Sequence, residues 1–233
     1  MCPRLEGLKE RGDMDFALVE EIAQQLPEGI IVQFHNNGEP LLYPQLKEVL
    51  ALFKGQIRNF DTNGKLLLGR ADVLIDNMEV LTLSVFQNDP EAYDQWIILK
   101  QFVKYKGDRK PRLVIRCLGD VKWENYLGWG EVALRTLHSP CGRTNYIKHP
   151  IIPEAGICLD ALSHLSIERD GECFMCVRFN PEGKSCIGDA TKQRLSEIWA
   201  GKPRAKYILS HIAGKRSEIE LCKDCDYWGV PMG

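Results

Sequence analysis

Residues 30–64 read IIVQFHNNGEPLLYPQLKEVLALFKGQIRNFDTNG, and this stretch decides the fold class. Ile30–His35 is a short apolar run suited to a buried strand, and Asn36-Asn37-Gly38 punctuates it. Pro44–Lys54 places Leu46, Val49, Leu50 and Phe53 on one helical face. Ile57–Asp61 is again strand-like and closes on Thr62-Asn63-Gly64. A strand, a helix and a second strand joined by short turns form a βα unit, which brings its strands together in parallel.

The alternation continues on both sides. Upstream, Met14–Leu26 reads as a helix with Leu18, Ile22 and Leu26 at every fourth position and Pro27 ending it. Downstream come a helical stretch, Leu66–Asp76, a β-rich run, Glu79–Phe86, and a long amphipathic helix, Pro90–Lys106. Strands at Arg112–Leu118 and near Val132–Leu137 follow. The expectation is an α/β domain with five strands, each fed by a helix. Chemistry in such sheets sits beyond the carboxyl ends of the strands. Asn36–Pro40 and Asp61–Gly64 occupy those places.

The register breaks near Ser139-Pro140-Cys141-Gly142 and again at Pro150–Pro153. Short β pieces follow, with turns at Asp170-Gly171 and Pro181–Gly183 and helical stretches at Thr191–Ala200 and Pro203–Ile212. This places a domain boundary near residue 145, between domains 1–145 and 146–233. The second is small for a self-sufficient core, and a bound metal centre would supply the missing stabilisation.

Composition excludes several classes. The 233 residues are 44% hydrophobic and 27% charged, so the chain is not disordered. Thirty basic and 32 acidic residues give a net charge of −2, so no global field draws it to nucleic acid or membrane. Apolar runs such as Val80–Phe86 are far short of a spanning helix, and Met1–Glu6 has no apolar core of a signal peptide. A cytoplasmic protein is expected.

Nine cysteines then stand out, six of them between Cys158 and Cys225. Clustered cysteines in a reducing compartment argue for metal over cross-links. Cys173-x2-Cys176 and Cys222-x2-Cys225 are two chelating pairs, and by spacing alone they make a tetrathiolate site for zinc or for an iron–sulfur cluster. Cys117, in an apolar strand, reads as a core residue. In the loop Asn37-Gly38-Glu39-Pro40, Gly38 permits close approach of backbone to a ligand, and Glu39 can accept from a cationic group. His35 and His138 stand at strand ends and are read as structural. Arg116, on a strand, either reaches a carboxylate or caps the sheet.

These motifs, in this order, resemble those of radical S-adenosylmethionine (SAM) enzymes. Met-Cys2-Pro-Arg is similar to the end of that family's C-x3-C-x2-C motif, and Asn37-Gly38-Glu39-Pro40 to its Gly-Gly-Glu-Pro motif, which contacts the SAM amino group in relatives. Asn63, within Thr62-Asn63-Gly64, and Ser84 fall where relatives contact the rest of SAM. The resemblance covers roughly residues 1–140 and implies a partial (β/α)6-type TIM barrel lacking its first strand. Cys2 would be one ligand of the SAM-binding [4Fe–4S] cluster; the other two would lie before Met1, which is accordingly read as an internal methionine of a truncated chain.

The remainder resembles the SPASM extension of the same superfamily, a small cysteine-rich auxiliary-cluster domain. Cys158, Asp170-Gly171 and Cys176 match its D-G-x-x-x-x-C pattern, and Cys222 and Cys225 its closing pair. The resemblance thus implies Cys158, Cys176, Cys222 and Cys225 as ligands of one auxiliary [4Fe–4S] cluster, with Tyr227 and Trp228 packed over it and Cys173 and Cys186 as extras. The implied activity, not expected of this truncated chain itself, is generation of a 5′-deoxyadenosyl radical that abstracts hydrogen from a peptide, protein or small metabolite, with flavodoxin or ferredoxin as electron donor; a degenerate, catalytically dead relative is the alternative to truncation. No specific nucleic acid and no membrane are implied as partners. The alternative is a non-catalytic module with a structural zinc or iron–sulfur tetrathiolate.

Overall fold

The computed structural model describes residues 12–35, 38–135, 157–176, 183–223 and 225. The chain divides into two compact units, Leu26–Thr136 and Met1–Gln25 with Leu137–Gly233. Helix α1, Phe16–Ala23, therefore falls with the second unit and not, as the sequence division at residue 145 has it, with the sheet. Within that unit the Gln25 side chain, just past α1, accepts the backbone N–H of Leu195 at 2.8 Å. The boundary on the other side, near residue 136, lies close to the expected one.

The unit Leu26–Thr136 carries five parallel strands in the order β1 to β5: Ile31–Gln33, Ile57–Thr62, Val80–Phe86, Arg112–Leu118 and Glu131–Arg135. Helices α2, Leu46–Leu52, α3, Ala71–Leu74, and α4, Ala92–Lys106, supply the crossovers. The last crossover is made only by a 3-10 turn, Trp123–Tyr126, so a helix does not feed every strand. The stretch Leu66–Asp76 also departs from a single helix: it splits into a 3-10 turn, Leu68–Arg70, and the one-turn α3, with Gly69 at the join.

Side chains alternate along each strand. Phe60, Leu81, Leu83, Ile115 and Cys117 point into a core filled by Leu46 and Leu50 of α2, Leu74 of α3, and Leu99 and Phe102 of α4. Asn59, Asp61, Thr82, Ser84 and Arg116 occupy the other face, aligned by the pairings Asp61 with Thr82 and Ser84 with Arg116. One face of the sheet is thus an apolar core and the other is polar.

The unit's edge is tied by a buried ion pair. Arg58 of β2 donates from Nε and Nη2 to Glu79 at 2.9 and 2.8 Å, and from Nη1 to the carbonyl of Leu50 at 2.9 Å. Glu79 also accepts the backbone N–H of Arg58 at 3.0 Å.

The second unit holds a short helix α5, Leu159–Ser163, and a three-stranded antiparallel sheet: β6, Ser166–Ile167, β7, Glu172–Phe174, and β8, Gly188–Asp189. Helices α6, Leu195–Trp199, and α7, Lys202–Ile212, follow, then a 3-10 turn, Arg216–Glu218. Helix α6 starts later than the expected Thr191 because Asp189 ties up both the N–H and the hydroxyl of Thr191, at 2.9 and 2.6 Å, in a turn. Glu197 then accepts the N–H of Arg194 at 3.0 Å and opens the helix. No helix among the described residues is long and apolar enough to cross a membrane.

Candidate functional site

In the first unit, the loops after β1 and β2 are joined by one carboxylate. Glu39 accepts from the Thr62 hydroxyl at 2.7 Å, from the Asn63 N–H at 3.0 Å and from the Leu41 N–H at 3.2 Å, where it caps a 3-10 turn, Pro40–Leu42. The sequence offers Glu39 as an acceptor for a cationic group; here its acceptors serve the neighbouring loop instead. Thr62 Oγ1 in turn accepts the Gly64 N–H at 3.0 Å, and Asn63 Oδ1 accepts the Lys65 N–H at 3.0 Å. Gly64 has φ +75°, and a Cβ there would lie 2.1 Å from Leu83 Cδ1, so only glycine fits. Gly38 is exposed, and a Cβ built on it meets nothing within 4 Å, which leaves its backbone open to a ligand.

A residue that sequence reading passed over completes this frame. Gln95 of α4 is 1% exposed, and its Nε2 donates to the carbonyls of Asn63 at 2.7 Å and Ser84 at 3.0 Å. A buried amide on an apolar helix face, four residues before Leu99, was the available signal. Asn63 and Ser84 are therefore held together from behind, through their backbones. Asn37, His138 and Cys2 lie outside the described residues.

The polar face beside them carries a charged group of three. Arg116 pairs with Asp61 Oδ2, and His35 Nε2 stands 3.4 Å from the same oxygen while its Nδ1 accepts the Asp61 N–H at 3.0 Å. Burial alone would push the Asp61 carboxyl up, but the His35 hydrogen bond and the charges of His35 and Arg116 outweigh it and hold the group below its ordinary value. Asp61 Oδ1 and Asn59 Oδ1, two residues apart on β2, are buried without a protein partner. Arg116, left between two roles by the sequence, thus reaches a carboxylate of its own chain.

In the second unit the cysteines differ in their electrostatic surroundings. Burial pushes the Cys222 thiol up, and the charges of Cys176, Cys225 and Cys158 push it further, while Arg216 pulls it back. Those four thiols share one neighbourhood. Cys173 belongs elsewhere: it is fully buried in β7, its neighbours are Cys186 and Asp189, and burial first, then those charges, push it up to about 12. Its Sγ donates to the Gly171 carbonyl at 3.4 Å, and that of Cys186 to the Gly188 carbonyl at 3.1 Å. Cys173 thus lies inside β7, whereas Cys176 lies beyond its end.

Three further residues reach the thiol-bearing segments from α7 and the turn after it. His211, 1% exposed, accepts the Cys158 N–H on Nδ1 at 3.3 Å. Tyr207 donates to the Ser185 carbonyl at 3.1 Å, and its hydroxyl is pushed up by burial and by the charges of Cys222, Cys176 and Cys186. Arg216 donates from Nη1 to the carbonyls of Cys222 at 2.6 Å and Cys225 at 2.7 Å. No regular spacing announces these three in the sequence.

An all-sulfur, partly buried donor set suits a tetrathiolate-bound iron–sulfur cluster or zinc. Among the described residues, no three His, Cys, Asp or Glu groups are placed to hold a metal ion. Cys117 offers no ligand: it is 1% exposed in the core, and burial pushes its thiol up. Tyr227 and Trp228 lie outside the described residues.

Residues 158–226 match the family model of SPASM, an iron–sulfur cluster-binding domain. No curated protein matches by sequence. Among solved structures, BtrN in complex with AdoMet and 2-DOIA is similar with TM-score 0.63 and 18% identity, covering 94% of this chain and 82% of that one. Streptococcus suis SuiB bound to S-adenosylmethionine is similar with TM-score 0.62 and 13% identity, covering 93% of this chain and 67% of that one. The chain is thus an α/β protein with the fold of these two S-adenosylmethionine-bound proteins, and the segment 158–226 carries its SPASM match.

Proposed function

We propose that this chain is a radical SAM enzyme of the SPASM type, its five-stranded sheet a partial (β/α)6-type barrel and residues 146–233 its auxiliary-cluster domain. The observation that carries the reading is the SPASM match over residues 158–226, within which the charges of Cys176, Cys225 and Cys158 all bear on the Cys222 thiol. These four would hold an auxiliary [4Fe–4S] cluster. Asn37, Gly38, Glu39, Pro40, Asn63 and Ser84 would form the SAM site, with Cys2 toward the SAM-binding cluster. When bound, SAM and iron–sulfur supply one-electron, hydrogen-abstracting chemistry.

The protein's part is to hold and to exclude. Glu39 locks the first two loops to each other, and Gln95 fixes Asn63 against Ser84, so the binding loops are set before any ligand arrives. Gly38 leaves its backbone accessible, and Asp61 with Arg116 gives the polar face a fixed charge pair. The substrate is proposed as a peptide, protein or small metabolite, the electron donor as a flavodoxin or ferredoxin, and the site of action as the cytoplasm.

Anaerobic reconstitution with iron and sulfide tests this reading. About four irons bound by the 158–225 cysteines, lost in Cys222→Ala, together with SAM binding weakened by Glu39→Gln, support it. The same sulfur donor set also suits structural zinc. Colourless protein with about one zinc and no SAM binding would establish the non-catalytic module instead.

A further inference from the structure

Arg216 is 7% exposed, and its guanidinium ends on the backbone of the closing cysteine pair. One nitrogen, Nη1, meets both carbonyls, at 2.6 and 2.7 Å, and thereby fixes the Cys222–Cys225 turn from inside. Its position beside the turn follows from the 3-10 turn Arg216–Glu218, whose last carbonyl-linked bonds lead straight into Cys222: the Cys222 N–H donates to Ile219 at 2.9 Å. A buried guanidinium is costly to desolvate, so it stays where it satisfies acceptors or faces negative charge. Ligation turns cysteines into thiolates, which makes this neighbourhood strongly anionic.

We propose that Arg216 is the positioning residue of the auxiliary cluster. It sets the Cys222–Cys225 turn before metal arrives, and its charge favours the thiolate-ligated and the reduced, more negative states of the cluster. The inference rests on the cluster reading above. Outer partners of metal ligands typically change metal retention by about 10- to 100-fold. Arginine and lysine are not equivalent here, because an ammonium on a flexible stem is less pre-organised than the Nη1 of a planar guanidinium set between the two carbonyls.

The experiment compares anaerobically reconstituted wild type, Arg216→Met and Arg216→Lys by iron release to a chelator and by the cluster's midpoint potential. Arg216→Met is expected to release iron about 10- to 100-fold faster, with the potential moved to more negative values. Arg216→Lys is expected to release iron faster as well, with a potential near that of wild type, since the charge remains. Release at the wild-type rate in Arg216→Met overturns the inference. So does faster release with an unmoved potential in Arg216→Met, which would mark packing alone. If Arg216→Met does not fold, Arg216→Lys decides: faster release supports the positioning role, and wild-type release overturns it. Wild type that binds no iron would sink the cluster reading itself, a different result from wild type that binds iron with indifferent variants.

Discussion

Glu39 and Gly64 show how much of the first site rests on single residues. Replacing Glu39 by Gln turns one carboxylate oxygen into a donor facing other donors, either the Thr62 hydroxyl and Leu41 N–H on Oε1 or the Asn63 N–H on Oε2. The loss expected is about 1–2 kcal/mol in urea unfolding, with weaker SAM binding by calorimetry; an unchanged midpoint and affinity would refute the account of the loop. Gly64→Ala is expected to be worse, because the new Cβ meets Leu83 Cδ1 at 2.1 Å in a backbone conformation with φ +75°. A destabilisation of about 1–3 kcal/mol should appear as a lower urea midpoint, and a neutral result would mean the turn relaxes freely.

At the scale of elements, the sheet depends on the Arg58–Glu79 pair, which links β2 to the start of β3 and to the end of α2 through Leu50. Hydrogen bonds from Arg58 first, against the opposing effect of burial, hold the Glu79 carboxyl down to about 2 from its ordinary 4.5. The folded pKa lies below the unfolded one, so the unfolded chain binds the extra proton as pH falls. This contribution is complete above pH 4.5 and is lost as pH falls toward about 2. Glu79→Gln should flatten the acid limb of the stability profile in that window, and an unchanged limb would assign acid sensitivity elsewhere. Arg58→Met is expected to cost about 3 kcal/mol, the low end for a broken buried pair, since Glu79 keeps 25% of its side chain exposed. The readout is the urea midpoint of the purified variant.

The whole molecule is two units with different sources of stability. The sheet unit carries a dense apolar core, with Phe60, Leu81, Ile115 and Phe102 fully buried. The unit with the cysteines has short strands of two or three residues and short helices, so more of its stability should come from a bound metal. Scanning calorimetry of the reconstituted protein before and after chelation is expected to lower one transition and leave the other in place. A chelated protein that melts like the loaded one would show that the second unit folds without metal.

By itself the sequence determined the class of fold, because hydrophobic periodicity switches between strand and helix spacing across residues 30–118, and a helix between successive strands returns the chain so that the strands pair in parallel. It also marked the places of the site, since Gly38, Glu39 and Asn63 follow strands whose carboxyl ends meet in such a sheet. For the cysteines, spacing alone pairs Cys173 with Cys176, while the resemblance groups Cys176 with Cys158, Cys222 and Cys225; the fold adds that Cys173 is buried in β7 near Cys186. Helix lengths were overestimated where local hydrogen bonds compete, as at Asp189 with Thr191. Gln95, His211 and Arg216 were out of reach of pattern reading, because each acts on backbone carbonyls or N–H groups of residues 6 to 53 positions away. Such contacts follow from where folding places a buried polar group that must find a partner, and no periodicity encodes that.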